Sequence, residues 1–520
     1  MRPPLSNLQT PVLLPRTSLN PALRSSRSRK TSIFQPPWPR ALSSRLQAGL
    51  TGLLCAGPSP PFDLGTETIM KHTQVLFTFI ALLAALNARA EVSLPNIFGN
   101  HMVLQRGVPL RFWGTADEGE KISLKFGSRS FSTTADGSGA WAIELPALKA
   151  DGGKSHKITI KGSNTIILED VLIGDVWIGS GQSNMEWSLN QSERRDEFIE
   201  GANHPGIRLF HIPKKQFDRP QADVPNKWKT CSSANIRHFS AVLYHFGKTI
   251  HADQKVPVGL INSSWGGSPI EPWTVTESGS GKMYNGMIAP IVDFRVAGTI
   301  WYQGETNVIQ NNGLAYTGKM KDLIEGWRRV FNNENMPFYF VQIAPWNNGR
   351  YADGQLPALW EAQCATLKLP HTGMAVTTDI VHNLGDIHPS NKHDVGDRLA
   401  RWALAKHYGR KGVTYSGPLY KAMKVSGSKI HLAFAHASSG LKSRDGKALS
   451  EFKIAGAAGN FVPAKAKIEG KHVVVSADSI TAPTQVRFAW HRAAQPNLCN
   501  REGLPASPFQ TENWTGGTGE

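Results

Sequence analysis

The sequence predicts an α/β fold: a doubly wound parallel sheet with helices on both faces, flanked on either side by small antiparallel β domains. Three observations carry this. Five short apolar runs, VLIGDVWI, VPVGLIN, AGTIWY, PFYFVQIA and GMAVTT, have the look of strands buried on both faces. Helical segments separate several of them, SAVLYHFGKTIHAD before the second and PALWEAQCATL between the last two. Outside this region the chain changes style, to short stretches alternating apolar and polar residues between Gly, Asp and Asn turns.

In chain order, residues 1–69 are rich in Pro, Ser and Arg and hold no sustained period. They read as an extension from a start codon set too far upstream, with an Arg- and Ser-rich transit peptide as the alternative. Met70 then opens a secretory signal peptide over residues 70–90. Lys71 is its positive start, Val75 to Leu86 its apolar core, and Ala88-Arg89-Ala90 a small-x-small cleavage site. The apolar core is short for a membrane span, and no Cys stands at the cleavage site for a lipid. The expectation is a mature chain starting near Glu91, secreted or periplasmic, with no membrane anchor after cleavage.

Residues 91–170 are expected to form an N-terminal β domain from VPLRFWGTA, KISLKFG, GAWAIELPAL and HKITIKG, with Trp113 and Trp141 in its core. Residues 171–409 hold the parallel sheet. Residues 410–520 return to strands and turns, in KIHLAFAHA, FKIAG, AKAKIEGKHVVVSAD and TQVRFAW, and predict a C-terminal β domain.

Composition narrows the function. Hydrophobic content of 40%, with 15 Trp and 22 Phe, is ample for packed cores. The formal charge is +17, but residues 1–90 carry 10 Lys and Arg against 2 Asp and Glu, which is +8 of it. The remaining +9 is spread without a basic run, so nucleic acid is a poor candidate partner. Cys55 falls in the discarded segment. Cys231, Cys364 and Cys499 are odd in number and widely spaced, neither a disulfide framework nor a zinc site.

Four strand ends carry polar or glycine-rich clusters, and in a doubly wound sheet ligands bind beyond those ends. GSGQSNM places Ser183 in the turn to a helix. NSSWGGSPIEPW holds Gly266 and Gly267, whose amides can approach a ligand closely. WYQGETN holds Gln303 and Glu305, and GDIHPSNKHDVGDRLA holds Asp386 and His388 before a helix capped by Ser390 or Asn391. Acyl transfer by serine needs a nucleophile, a base, a carboxylate to orient the base, and donors for the oxyanion. Ser183, His388 and Asp386 fill the first three roles. The amides of Ser183 and Gly266 or Gly267, with the Gln303 side chain, fill the fourth, helped by the dipole of a helix starting at Ser183. Glu305 most simply pins its loop; Asn184 and Trp265 are further candidates for support or substrate contact. Trp265, Trp273 and Trp301 are more often core residues than sugar platforms. Met185 stands where a G-x-S-x-G elbow has its second glycine, which argues against an ordinary α/β-hydrolase.

GQSNMEW, SWGGSPIEPW, YNGMIAPI, IWYQGETN and DIHPSNK resemble the sialate O-acetylesterase family of SGNH-type hydrolases, and the likeness runs from LPNIFGNHMVLQRG to NREGLPASPFQTENW. The resemblance implies a flavodoxin-like SGNH core and a Ser-His-Asp site using no metal or cofactor. Its nucleophile maps onto Ser183 and its histidine onto His388, with Gln303 where the usual asparagine would be. Two features depart from the pattern. The acid is commonly three residues before the histidine, where this chain has Gly385; Asp386 is two before, and Asp379 is the alternative. The segment between Trp273 and Tyr284 is also short. The resemblance therefore points to an exported O-acetylesterase acting on an acetylated sugar or glycan, either sialate or a plant polysaccharide such as xylan or xyloglucan. A non-catalytic sugar-binding protein is the reading of another class, though a lectin has no use for this polar set.

Overall fold

The computed structural model describes residues 91–519; the expected upstream extension and signal peptide lie outside the described residues. The fold is organised by one strand, Thr165–Gly181, 17 residues long. Its first part alternates exposed and buried side chains and pairs antiparallel with His156–Lys161 in the N-terminal β region. From Val171 to Gly181 every residue is buried, and this part runs through the middle of the parallel sheet. The expected domain boundary at 170 thus falls inside a continuous strand.

All five apolar runs form parallel strands. The sheet order is Thr372–Ala375, Phe338–Val341, Gly298–Tyr302, Thr165–Gly181, Val258–Ser264, His204–His211, with the short antiparallel Lys229–Cys231 at the edge. Numbering the five runs along the chain gives 2-1-3-4-5, the flavodoxin-like order. His204–His211 extends the sheet beyond the run Val258–Ser264 and was not anticipated. The predicted helices form at Ala241–Gln254, where the Ser240 side chain accepts from the Leu243 amide, and at Gln355–Thr366.

The flanking regions are antiparallel β structure. Leu110–Thr115 pairs with Ala140–Leu145, and Lys121–Phe126 lies between Arg129–Thr134 and His156–Lys161. Trp113 and Trp141 are buried there. The C-terminal region contains two four-stranded sheets, one centred on Lys429–Ala435 and His472–Ser476, the other on Phe452–Gly456 and Pro483–Phe488. Cys231, Cys364 and Cys499 are free and buried, and burial pushes the first two thiols up to about 12, so they are inert core residues. Trp273 and Trp301 are also fully buried and meet edge to face at 6.1 Å, which removes them as sugar platforms.

Candidate active site

The site forms where the strand order switches, beyond the carboxyl ends of Thr165–Gly181, Val258–Ser264 and Gly298–Tyr302. At Gly181 the backbone takes φ 130°, and an added Cβ would meet the Tyr302 carbonyl at 2.1 Å. Glycine is therefore required for the chain to leave the sheet beside its neighbour. Ser183 follows at the first position of a helical turn, Ser183–Glu186. Because the helix is a single turn, it offers a much weaker dipole than the full helix expected from sequence. Its first amide has no acceptor within the turn, which leaves the Ser183 N–H free to meet a ligand.

His388 comes from the loop after Thr372–Ala375. Its Nε2 lies 2.9 Å from Ser183 Oγ. The Trp187 indole stacks on its imidazole, ring centres 4.5 Å apart and 19° from parallel. Asp386 uses one oxygen, Oδ1, in two ways. It accepts the His388 amide at 2.8 Å and lies 3.6 Å from His388 Nδ1. This Asx turn bends the two-residue spacing so that carboxylate and imidazole share a side of the loop. A gap of 3.6 Å is an ionic approach, longer than a hydrogen bond. Asp379 is elsewhere, held by Arg398 through two hydrogen bonds of 2.7 Å, with both side chains nearly buried.

His388 is pushed below the ordinary histidine range, chiefly by burial, next by the Lys392 cation, with Asp386 opposing. The neutral, proton-accepting ring is thereby favoured.

The four expected oxyanion donors are not equivalent. Gly266 donates its amide to Glu186 Oε2 at 2.6 Å, and a Cβ on it would lie 3.3 Å from Ser183 Cβ, so it is close to Ser183 but occupied. Gly267, at φ 75°, has no acceptor for its amide among the described residues. Gln303 is fully buried, and its Nε2 faces Gln182 Oε1, Ser268 O and Asn307 Oδ1 at 3.0, 3.2 and 2.6 Å. Its oxygen accepts from Tyr316 at 2.6 Å. Both hydrogens of that amide are committed, so Gln303 fastens three loops together and is not a free donor here.

Asn184 and Glu305 lie behind Ser183. Asn184 Nδ2 donates to Glu305 Oε1 at 2.6 Å and to the Ile387 carbonyl at 3.0 Å, and its oxygen accepts from Lys392. Trp265 is half-buried and donates its amide to Gly181 O at 3.0 Å. Two residues at the site went unassigned from sequence, Trp187 and Lys392. Both lie within motifs already singled out, GQSNMEW and DIHPSNK. Of the two expected caps, Asn391 serves, accepting the Asp394 amide at 3.1 Å, while Ser390 turns to Glu193.

No group of three or more His, Cys, Asp or Glu residues arranged to hold a metal occurs among the described residues. An open cavity of about 720 Å³ adjoins Trp187, lined by Gln191, Arg194, Arg195 and their neighbours.

The profile of a family described as carbohydrate esterase, sialic acid-specific acetylesterase, matches residues 173–405. Sialate O-acetylesterases of Pongo abelii and Homo sapiens are each 30% identical over 386 residues, covering 64% of this chain and 74% of theirs. A crystal structure of a carbohydrate acetylesterase from Xanthomonas citri is 38% identical with a TM-score of 0.77, covering 81% of this chain and all of that one. With the fold, the strand-end motifs and these relatives in agreement, the chain belongs to the sialate O-acetylesterase family and is a carboxylic ester hydrolase.

Proposed function

We propose that the protein is an exported O-acetylesterase that removes acetyl groups from sugar hydroxyls through an acetyl-enzyme intermediate. The observation that carries this is the 2.9 Å approach of His388 Nε2 to Ser183 Oγ at the switch point of the sheet. In this reading His388 takes the hydroxyl proton as Oγ bonds to the acetyl carbon. The carbonyl oxygen becomes an oxyanion, met by the amides of Ser183 and Gly267. Collapse breaks the ester bond, and the departing sugar oxygen receives the proton from His388. Water, deprotonated by the same ring, then attacks the acetyl-enzyme and releases acetate and Ser183. Asp386 steadies the imidazolium across its 3.6 Å gap. Export rests on the signal-like segment 70–90; among the described residues no helix is long and apolar enough to cross a membrane.

The glycan is assigned to the open cavity beside Trp187. Arg194 there is already held by Glu197 at 2.6–2.8 Å, while Arg195 has a looser approach of 3.6 Å to Asp196. One loosely held arginine is a modest reception for a sialate carboxylate, which keeps neutral acetylated plant polysaccharide as the second reading.

Ser183→Ala should fold normally and lose all but a background of acetate release, a drop of roughly 10⁴ or more in kcat. Retention of more than about a tenth of wild-type turnover would remove Ser183 as the nucleophile. Comparing wild-type acetate release from acetylated sialic acid with that from acetylated xylan and xyloglucan fragments then decides the substrate class.

A further inference from the structure

The interior behind Ser183 contains a carboxyl group and an amine joined through one amide, and burial raises the carboxyl of Glu305, with Asn184 and Lys392 opposing. Glu305 opens the short helix Glu305–Ile309, and Lys392 immediately precedes the helix His393–Trp402. Glu305 is 4% exposed, Lys392 and Asn184 are fully buried, and Glu305 and Lys392 make no direct ion pair. Asn184, next to the nucleophile, stands between them and also donates to the carbonyl of Ile387, the residue before the base.

The chemistry of the partners leaves the amide one orientation. A lysine ammonium only donates, while a carboxylate and a backbone carbonyl only accept. Asn184 must therefore turn its oxygen to Lys392 and its NH₂ to Glu305 and Ile387. Removing the lysine leaves that oxygen buried without a donor and frees the amide to turn, which loosens Ile387 and with it His388. Nothing in the fold demands such an arrangement. Buried ions are costly, apolar residues of similar volume commonly serve stability as well, and Glu305 Oε2 is left without a hydrogen bond.

We propose that Lys392 is a positioning residue for ester hydrolysis: through Asn184 it locks the His388 loop to the nucleophile turn, and it holds a cation behind the catalytic base. The inference rests on the reading of Ser183 and His388 as nucleophile and base. His388 is faced by Ser183 and the uncharged Trp187 ring, by Asp386 on its own loop, and by Lys392. Lys392 is faced by Glu305 and Asp386, and its Nζ lies 5.6 and 5.4 Å from the ring centres of Trp187 and Tyr302. Burial pushes Lys392 down to about 7, with Glu305 and Asp386 opposing. Its charge is therefore present on the acid side of that value, where a histidine titrates. There it opposes protonation of His388 and extends the neutral base to lower pH.

The test is the pH profile of kcat/KM for Lys392→Met, whose side chain fills the same space without charge. The expected result is a folded enzyme with kcat reduced roughly 10²-fold. Its acid limb should move up by about half a unit or more, since the cation that depressed His388 is gone. A folded variant with the wild-type rate overturns the proposal, and so does a slower one whose acid limb has not moved, because that describes mere packing. Should Lys392→Met not fold, Glu305→Gln gives the same readout. It keeps an oxygen for Asn184 but removes the anion that supports the lysine charge, so its acid limb should also rise, and an unmoved limb overturns the proposal. Ser183→Ala separates the two levels: if it is inactive while Lys392→Met matches wild type, the inference fails alone, and if it remains active the nucleophile reading has failed.

Discussion

Asp386 and Asp379 sit on the same stretch of chain, and their surroundings divide their work. Asp386 is half exposed and aimed at His388 Nδ1, whereas Asp379 is nearly buried in a two-pronged pair with Arg398, which also donates to the Val376 carbonyl. Asp386→Asn should therefore cost catalysis: kcat falling by about 10², short of the roughly 10⁴ of a buried orienting carboxylate because Asp386 is half exposed and 3.6 Å from the ring, an ionic approach longer than a hydrogen bond. Asp379→Asn should cost stability, about 3–5 kcal/mol, since it leaves Arg398 buried without its anion. Kinetics and thermal melts on both variants check this, and a crippled but stably folded Asp379→Asn would reverse the assignment. In wild type, kcat/KM should hold to below the ordinary histidine range before falling, because burial depresses His388. Ser183, Asp386 and His388 could be offered as site candidates from sequence because their residue types suit acyl transfer, and the structure brings the three side chains together. Trp187 and Lys392 could not, because stacking and burial arise where separate elements meet. Gln303 shows the same gap: an amide's identity says nothing about which way it donates.

At the scale of elements, the His388 loop is held from outside the sheet. The Asn347 amide donates to Leu384 O at 2.8 Å, and Trp346 Nε1 to Gly385 O at 3.3 Å. Those two residues belong to a loop that Arg492, from the C-terminal region, grips through the carbonyls of Asn348 and Tyr351 at 2.8 and 2.7 Å and through Asp353 at 3.1 Å. Gln495 adds a bond to Val381 O at 2.9 Å. Arg492→Ala should thus lower kcat by about tenfold, since small misplacements of a base are expensive, and should also lower the melting temperature, because it strips donors from a loop whose Trp346 and Tyr351 are buried in the core. Steady-state kinetics beside a thermal melt checks it, and an unchanged kcat would remove the brace from the account of the site. The buried strands were legible as apolar runs. The helix Tyr316–Val330 was not, although its buried Tyr316, Met320, Leu323, Ile324 and Trp327 have helical spacing, because no apolar run within it exceeds two residues. His204–His211 opens with His, Pro and Gly, residues that obscure a strand.

For the whole molecule, the chain's last residues return to the catalytic region. Glu361, on the helix Gln355–Thr366, is 1% exposed. It accepts from Gln510 Nε2 at 3.0 Å and from the amide and hydroxyl of Thr515 at 2.9 and 2.8 Å, while the Gly517 amide reaches Cys364 O at 2.9 Å. On the same helix Gln363 donates to Val341 O at 3.0 Å and lies 3.5 Å from Gln303 O, so the tail bears on the helix that backs the Gln303 loop. Removing a buried carboxylate that satisfies three donors costs more than the bonds themselves, because the donors stay behind without partners. Glu361→Ala should lower stability by about 2–4 kcal/mol, while Glu361→Gln, which keeps one acceptor oxygen, should lose less. Denaturant unfolding followed by fluorescence checks the order, since Trp514 lies in the tail and Trp360 beside Glu361. At temperatures where Glu361→Ala remains folded its kcat should match wild type, because the tail secures the helix without touching the ester. A kcat loss in the folded variant would instead place the C-terminal tail within the working parts of the site.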